Sequence, residues 1–201
     1  MEPGGRRPAP QTLRLLQQFI NTYNIEREHI GLRTEEFASP ADLRRWLAGH
    51  GLLGGNARVR DSELRSALEV REALRRVALA HNKMPAQSAD VTVLNRLARQ
   101  ARLVIRFRRD GTMALEPDTA GPVGALGRLL AAALTAHIDG TWERLKACRR
   151  CHWAFYDHSK NRSGRWCVMS ICGNRVKAQT HRAHRRTSRR ARASSRDRIR
   201  A

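Results

Sequence analysis

The sequence predicts a mainly α protein. An N-terminal helical domain with one small β-hairpin leads into a compact cysteine-bearing module and then a basic C-terminal helix. Three observations support this. Apolar residues recur at three- and four-residue steps over most of the first 147 positions. Residues 103–116 alternate instead with period two, around an Asp-Gly pair. All four cysteines of the 201-residue chain lie between 148 and 172, and acidic residues nearly vanish after them. The implied boundaries are 1–10 without fixed structure, 11–143 helical, 144–187 the cysteine module, and 188–201 a disordered basic tail.

Residues 1–10 hold three prolines and two glycines, which oppose regular structure. From Gln11, the spacing of Leu13, Leu16, Phe19, Ile20 and Tyr23 predicts an amphipathic helix. Ser39 and Pro40 suit the N-cap and first position of a second helix, whose face is Leu43, Trp46 and Leu47 and which Gly49 and Gly51 end. Asp61-Ser62 opens a longer helix with Leu64, Leu68, Leu74, Val77 and Leu79 on one stripe, running to about His81, itself read as a C-terminal cap. Asp90 is the expected N-cap of a helix carrying Val91, Leu94, Leu97 and Ala98. Asp110-Gly111 between two alternating runs predicts a hairpin. After Gly121-Pro122, a long helix is expected over 123–147. It would turn Leu126, Leu129, Leu130, Leu134, Ile138 and Leu145 to the core, with Gly140 as its weak point.

The cysteines fall as C-x2-C-x15-C-x4-C: Cys148, Cys151, Cys167 and Cys172. Two close thiolate pairs separated by a short insert suit one tetrahedral zinc ion in a closed, structural site. Iron or an iron–sulfur cluster uses the same ligands; the spacing and the lack of a redox partner domain favour zinc. His152, His158, His181 and His184 are alternative ligands that four cysteines make unnecessary. Within the insert, Trp153, Phe155 and Trp166 read as the module's own small core, since so small a unit needs metal and large side chains. Trp-Ala-Phe-Tyr reads as a strand, with residues 157–164 as an exposed hairpin tip.

The formal net charge is +21, and its distribution is uneven. Residues 1–143 carry 21 basic and 16 acidic side chains, whereas 144–201 carry 18 and 2. Only four of the 39 basic residues are lysine, a bias that genome composition can produce, but composition does not explain the missing acids. Such a patch attracts polyanions. The candidate nucleic-acid contacts are Lys160, Arg162 and Arg165 in the insert, followed by Asn174, Arg175, Lys177, Arg182, Arg185, Arg186 and Arg189 on the basic segment. No run approaches the roughly 20 apolar residues of a membrane span, and the polar N-terminus lacks a secretory h-region. A reducing cytoplasm is therefore expected, where clustered cysteines bind metal.

At these residues the chain resembles a known bacterial family. Cys148-Arg-Arg-Cys151, Phe155-Tyr-Asp-His-Ser159-Lys-Asn-Arg162, Arg165-Trp-Cys167, Met169, Cys172-Gly-Asn-Arg175 and Lys177 are similar to the CGNR zinc finger. Phe19-Ile-Asn-Thr22, Ala41-Asp-Leu43, Trp46-Leu47 and Arg71-Glu-Ala-Leu-Arg75 are similar to the ABATE domain, which precedes that finger in the family. Gly164 stands where the family commonly has an arginine. The resemblance implies a zinc-ribbon or treble-clef-like finger on a helical domain, and a stress-induced transcription regulator.

The sequence raises three main functional readings. The first is a zinc-containing DNA-binding regulator whose helical domain dimerises or senses a small-molecule effector. The second is an RNA-binding protein, and a metal-dependent protein adaptor is a further alternative. The third is an enzyme, against which stand the lack of a nucleophile–base pair, a phosphate-cradling glycine loop or a carboxylate cluster. Glu26, Glu28 and His29 read as a polar helix end, and Asn21 with Arg33 as candidate pocket residues. A separable finger further predicts that Cys167→Ser abolishes DNA binding yet leaves the N-terminal helices folded.

Overall fold

A computed structural model describes residues 6–24, 35–54, 56–183, 185 and 187. Glu26, Glu28, His29, Arg33, His184, Arg186, Arg189 and the 188–201 tail lie outside the described residues. The chain divides into two units, residues 1–167 and 168–201.

Among the described residues, the first unit holds five α-helices and two small hairpins. Helix α1 (Gln11–Ile20) turns Leu13, Leu16, Phe19 and Ile20 inward, and all four are fully buried. Each such side chain stabilises the fold by about 1.5–3 kcal/mol. Helix α2 (Pro40–Gly49) starts as expected: the Ser39 side chain accepts from the Asp42 amide, and Pro40 takes the first turn. Phe19, Phe37 and Trp46 form an aromatic cluster with ring centroids 5.5–5.8 Å apart. Helix α3 (Asp61–His81) is the central element. It buries Ala67, Val70, Ala73, Leu74 and Ala78, but also the charged Arg71 and Arg75.

Helix α4 (Ser88–Ala101) departs from its expected cap. Gln87 has the extended backbone of the N-cap, and Asp90 sits inside the first turn. Asp90 is buried because Arg76 of α3 donates to its carboxylate at 2.6 Å. Val91, placed by periodicity on the inner face, is exposed. Strands β1 (Leu103–Phe107) and β2 (Met113–Pro117) pair antiparallel with Ile105 opposite Leu115, closing the expected hairpin. Its turn is held by Asp110, which accepts from both the amide and the hydroxyl of Thr112.

Helix α5 (Gly121–Ile138) is shorter than predicted. Gly140 adopts φ +66°, a conformation that costs other residues more, and the helix stops. Leu145 consequently belongs to a strand, while Leu134 and Ile138 are exposed rather than in the core. By length and composition α5 is the one described helix able to cross a membrane, yet Ala125, Leu126, Leu129 and Ala136 pack into the common core.

Beyond a turn of 3-10 helix (Trp142–Arg144), strands β3 (Leu145–Ala147) and β4 (Ala154–Tyr156) pair antiparallel, with Lys146 opposite Phe155. Leu145, Ala154 and Tyr156 join the same apolar cluster as α1, α2, α3 and α5. Residues 6–10, expected to lack fixed structure, are also engaged. Arg6 donates to the Tyr156 and Trp166 carbonyls and lies 4.4 Å from the Phe155 ring centre, and Ala9 is buried.

Gly127 lets α5 approach α4 closely: a β-carbon there would stand 2.6 Å from the Ala101 methyl and 3.2 Å from the Pro117 ring. Gly127→Ala is expected to cost about 1–3 kcal/mol through overpacking. A thermal midpoint unchanged from wild type would contradict that packing.

Candidate metal centre

The first cysteine pair sits at the tip of the β3–β4 hairpin. The Cys148 amide donates to the Trp153 carbonyl and the His152 amide to the Cys148 carbonyl, both at 2.9 Å. His152 takes φ +57° to complete the turn. Thus the strand read from Trp-Ala-Phe-Tyr exists as β4, but its partner is β3, upstream, and the hairpin tip is the cysteine turn itself. Residues 157–164 form a loop instead.

That loop is organised by charge. Lys146 and Asp157 are both buried, and the ammonium donates to the carboxylate at 2.8 Å. Lys146 also donates to the Arg162 and Gly164 carbonyls, at 2.5 and 3.3 Å. Asp157 accepts from the Ser159 and Gly164 amides, at 3.0 and 2.8 Å. Burial pushes the Asp157 carboxyl up, but the bonds from Lys146, Ser159 and Gly164 outweigh it and hold the group down at about 2. Gly164 leaves this space open: a β-carbon would lie 2.8 Å from the Asp157 carboxylate and force that group to shift.

The second pair spans the start of a new element. Cys167 ends the first unit. Residues Met169–Gly173 form a widened π turn, with the Cys172 amide donating to the Val168 carbonyl at 2.9 Å. Helix α6 follows from residue 174 to 183, with 185 and 187 also helical.

The four sulfurs lie within 4.8 Å of one another, and all four cysteines are buried. Cys151 Sγ and Cys167 Sγ are 3.4 Å apart. A zinc tetrahedron with bonds of about 2.3 Å spaces its sulfurs by about 3.8 Å, so the quartet fits the ion. The electrostatics agree. Hydrogen bonds from Cys151 and Cys167 drive the Cys148 thiol far below its ordinary value, and Cys148 in turn drives Cys151 and Cys167 far above theirs. Sulfurs this crowded cannot all ionise without a counter-charge, and a divalent cation supplies it. Cys148, Cys151, Cys167 and Cys172 would hold one zinc ion. The ion contributes folding free energy and, with every position taken by protein, no open site for a substrate or water. No histidine belongs to the cluster among the described residues.

Sequence reasoning missed the groups that seat this centre. Arg75, fully buried, donates to the carbonyls of Ile20 (2.5 Å), Tyr23 (3.2 Å) and His152 (3.1 Å), and pairs with Glu72 at 3.0 Å. Arg71 one turn earlier grips Glu35 through two bonds of 2.6 and 2.7 Å. Asn21, a candidate pocket residue, instead exchanges two bonds with the Ala154 backbone, at 2.8 and 2.9 Å. His81 is not a helix cap; its ring meets the Leu145 carbonyl at 2.9 Å. The resemblance to Arg71-Glu-Ala-Leu-Arg75 was the one available signal, and it did not reveal what those residues touch. Phe155 is buried as expected, while Trp153 and Trp166 are half-buried, so the module's core is largely the core of the helical domain.

The predicted contacts Lys160, Arg162, Arg165, Asn174, Arg175, Lys177, Arg182 and Arg185 are all exposed. Arg162 and Arg165 also contribute structural carbonyls, to Lys146 and to the Arg149 amide respectively.

Two outcomes follow from this geometry. The shared core alters the expectation of a separable finger. Cys167→Ser, or zinc removal by a strong chelator, is expected to lower the thermal midpoint of the whole first unit and reduce its far-ultraviolet helical signal. A fully retained helical transition would refute this. Asp157 binds its proton near 3.8 when unfolded and near 2 when folded. Its contribution, about 2 kcal/mol, is complete above roughly pH 5 and fades as pH falls through 4 toward 2. Asp157→Asn should therefore cost most at neutral pH and progressively less in acid, as measured by denaturant titration at each pH.

The chain matches two protein families in succession. Residues 13–146 match ABATE, described as "Putative stress-induced transcription regulator", and residues 144–185 match the CGNR zinc finger. No curated protein matches the chain. The ABATE match alone spans two-thirds of the sequence, and the quartet of cysteines falls inside the finger match. The protein belongs to the ABATE family and carries a CGNR zinc finger after the ABATE domain.

Proposed function

We propose that this chain is a zinc-dependent regulator that binds duplex DNA, acting in the cytoplasm and without catalytic activity of its own. One observation carries the reading: the zinc site feeds a helix with no acidic residue and almost no buried face. Between His158 and Arg196 the sequence contains no Asp or Glu. On α6 the described basic residues Arg175, Lys177, Arg182 and Arg185 are exposed, and Val176 is the one described residue from 175 to 183 that is even half-buried. A helix without an apolar face gains little from tertiary packing, so its run of positive charge favours an external polyanion as partner. A helix of this width fits the major groove, as helices of zinc modules do. The closed thiolate site favours a structural over a catalytic role for the metal.

Fluorescence anisotropy with labelled duplex DNA, structured RNA and single strands, between about 50 and 200 mM salt, tests this. Duplex DNA is expected to bind most tightly, with an affinity that falls steeply with salt. Arg182→Ala with Arg185→Ala is expected to weaken binding and reduce the salt slope by about two. A preference for RNA would redirect the proposal to that partner. Binding to none of the three, or binding insensitive to salt, would refute it.

A further inference from the structure

We propose that Asn82, in the helical domain, is a positioning residue of the zinc centre. The inference is independent of what α6 binds. Asn82 follows the last residue of α3 and is buried. Its side-chain amide donates both hydrogens across the module: to the Ala147 carbonyl at 2.8 Å and to the Arg165 carbonyl at 2.9 Å. Ala147 immediately precedes the ligand Cys148, and Arg165 lies two residues before the ligand Cys167. One amide thus ties together the two chain segments that deliver sulfurs from opposite sides of the insert.

The position of Asn82 is itself set from both directions. Its own amide donates to the Leu79 carbonyl at 2.9 Å, and its backbone carbonyl accepts from Arg149 Nε at 2.7 Å. Arg149 is the residue after Cys148, and its amide donates to the same Arg165 carbonyl at 3.3 Å. Asn82, Ala147, Arg149 and Arg165 therefore close a ring of hydrogen bonds around the bases of both cysteine turns. Without the amide, the Ala147 carbonyl loses its bond to Asn82 and the Arg165 carbonyl keeps only the Arg149 amide, so the turns are joined there by the single Arg149–Arg165 bond. A rigid quartet holds zinc more tightly than one whose halves can splay, because the ordering of the ligands is already complete before the ion arrives.

The test uses the full-length zinc-loaded protein and follows transfer of zinc to a chromophoric chelator in excess. It compares wild type, Asn82→Ala and Asp90→Asn. Asp90 is a buried partner of Arg76 on the α3–α4 contact, so its substitution destabilises the fold without touching the ring. Rates are compared at an equal interval below each variant's own thermal midpoint, which removes the general effect of stability. Asn82→Ala is expected to lose zinc about 10- to 100-fold faster than wild type, with Asp90→Asn at the wild-type rate. The cobalt-substituted Asn82→Ala protein is expected to show weakened thiolate-to-metal absorption. Should Asn82→Ala fail to fold, Arg149→Ala carries the test, since it removes the bond that fixes Asn82; a several-fold faster transfer is then expected. Wild-type transfer in the folded variant, or acceleration no greater than that of Asp90→Asn, would overturn the proposal.

Discussion

The carbonyl groups around the cysteine turns must all find donors once the turns are buried, and the helical domain supplies them. Arg75 takes the carbonyl of His152, Asn82 those of Ala147 and Arg165, and His81 meets that of Leu145. Asn21 and Gln17 share the Ala154 carbonyl. Leaving any of these unpaired would cost on the order of 1–3 kcal/mol. The turns therefore cannot lift away from α1 and α3 without stranding several polar groups at once. Leu145, Ala154 and Tyr156 add apolar contact at the same seam. Up to Cys167, the zinc finger is a layer of the helical domain rather than a bead on a linker.

The high positive charge conceals two populations of cations. Arg71, Arg75 and Lys146 are buried and structural, each paired with a carboxylate and bonded to other chain segments. Arginine suits the first two positions because its planar fork satisfies several acceptors in fixed directions while remaining charged. Burial of such a pair is costly, so its worth lies in how many segments it aligns. Arg75 alone joins the end of α1, the Tyr23 backbone, Glu72 and the first cysteine turn. The exposed cations of α6 form the second population, and the sequence places no Asp or Glu between His158 and Arg196.

The loop at 157–164 illustrates how one buried carboxylate replaces secondary structure. Asp157 accepts from two backbone amides and one ammonium, and Lys146 reaches two further carbonyls. Lys160, Asn161 and Ser163 are left exposed at the rim. The glycine at 164 suits this arrangement, since its amide reaches the carboxylate at 2.8 Å and a β-carbon there would crowd the same group.

Local spacing determined a great deal of this protein. The helices beginning at Gln11, Pro40 and Asp61, the Asp-Gly hairpin and the four sulfur ligands were all readable, because periodicity, caps and ligand spacing act over a few residues. Tertiary structure alone decided that Asp90 is an ion-pair partner rather than a cap, that Leu145 lies in a strand, and that β4 turns back on β3. It also chose which arginines leave solvent. Those outcomes depend on groups separated by tens of residues, such as Arg75 with His152 or Asn82 with Arg165. Their energy exists only once the chain has folded them together, and the sequence records no distance between them.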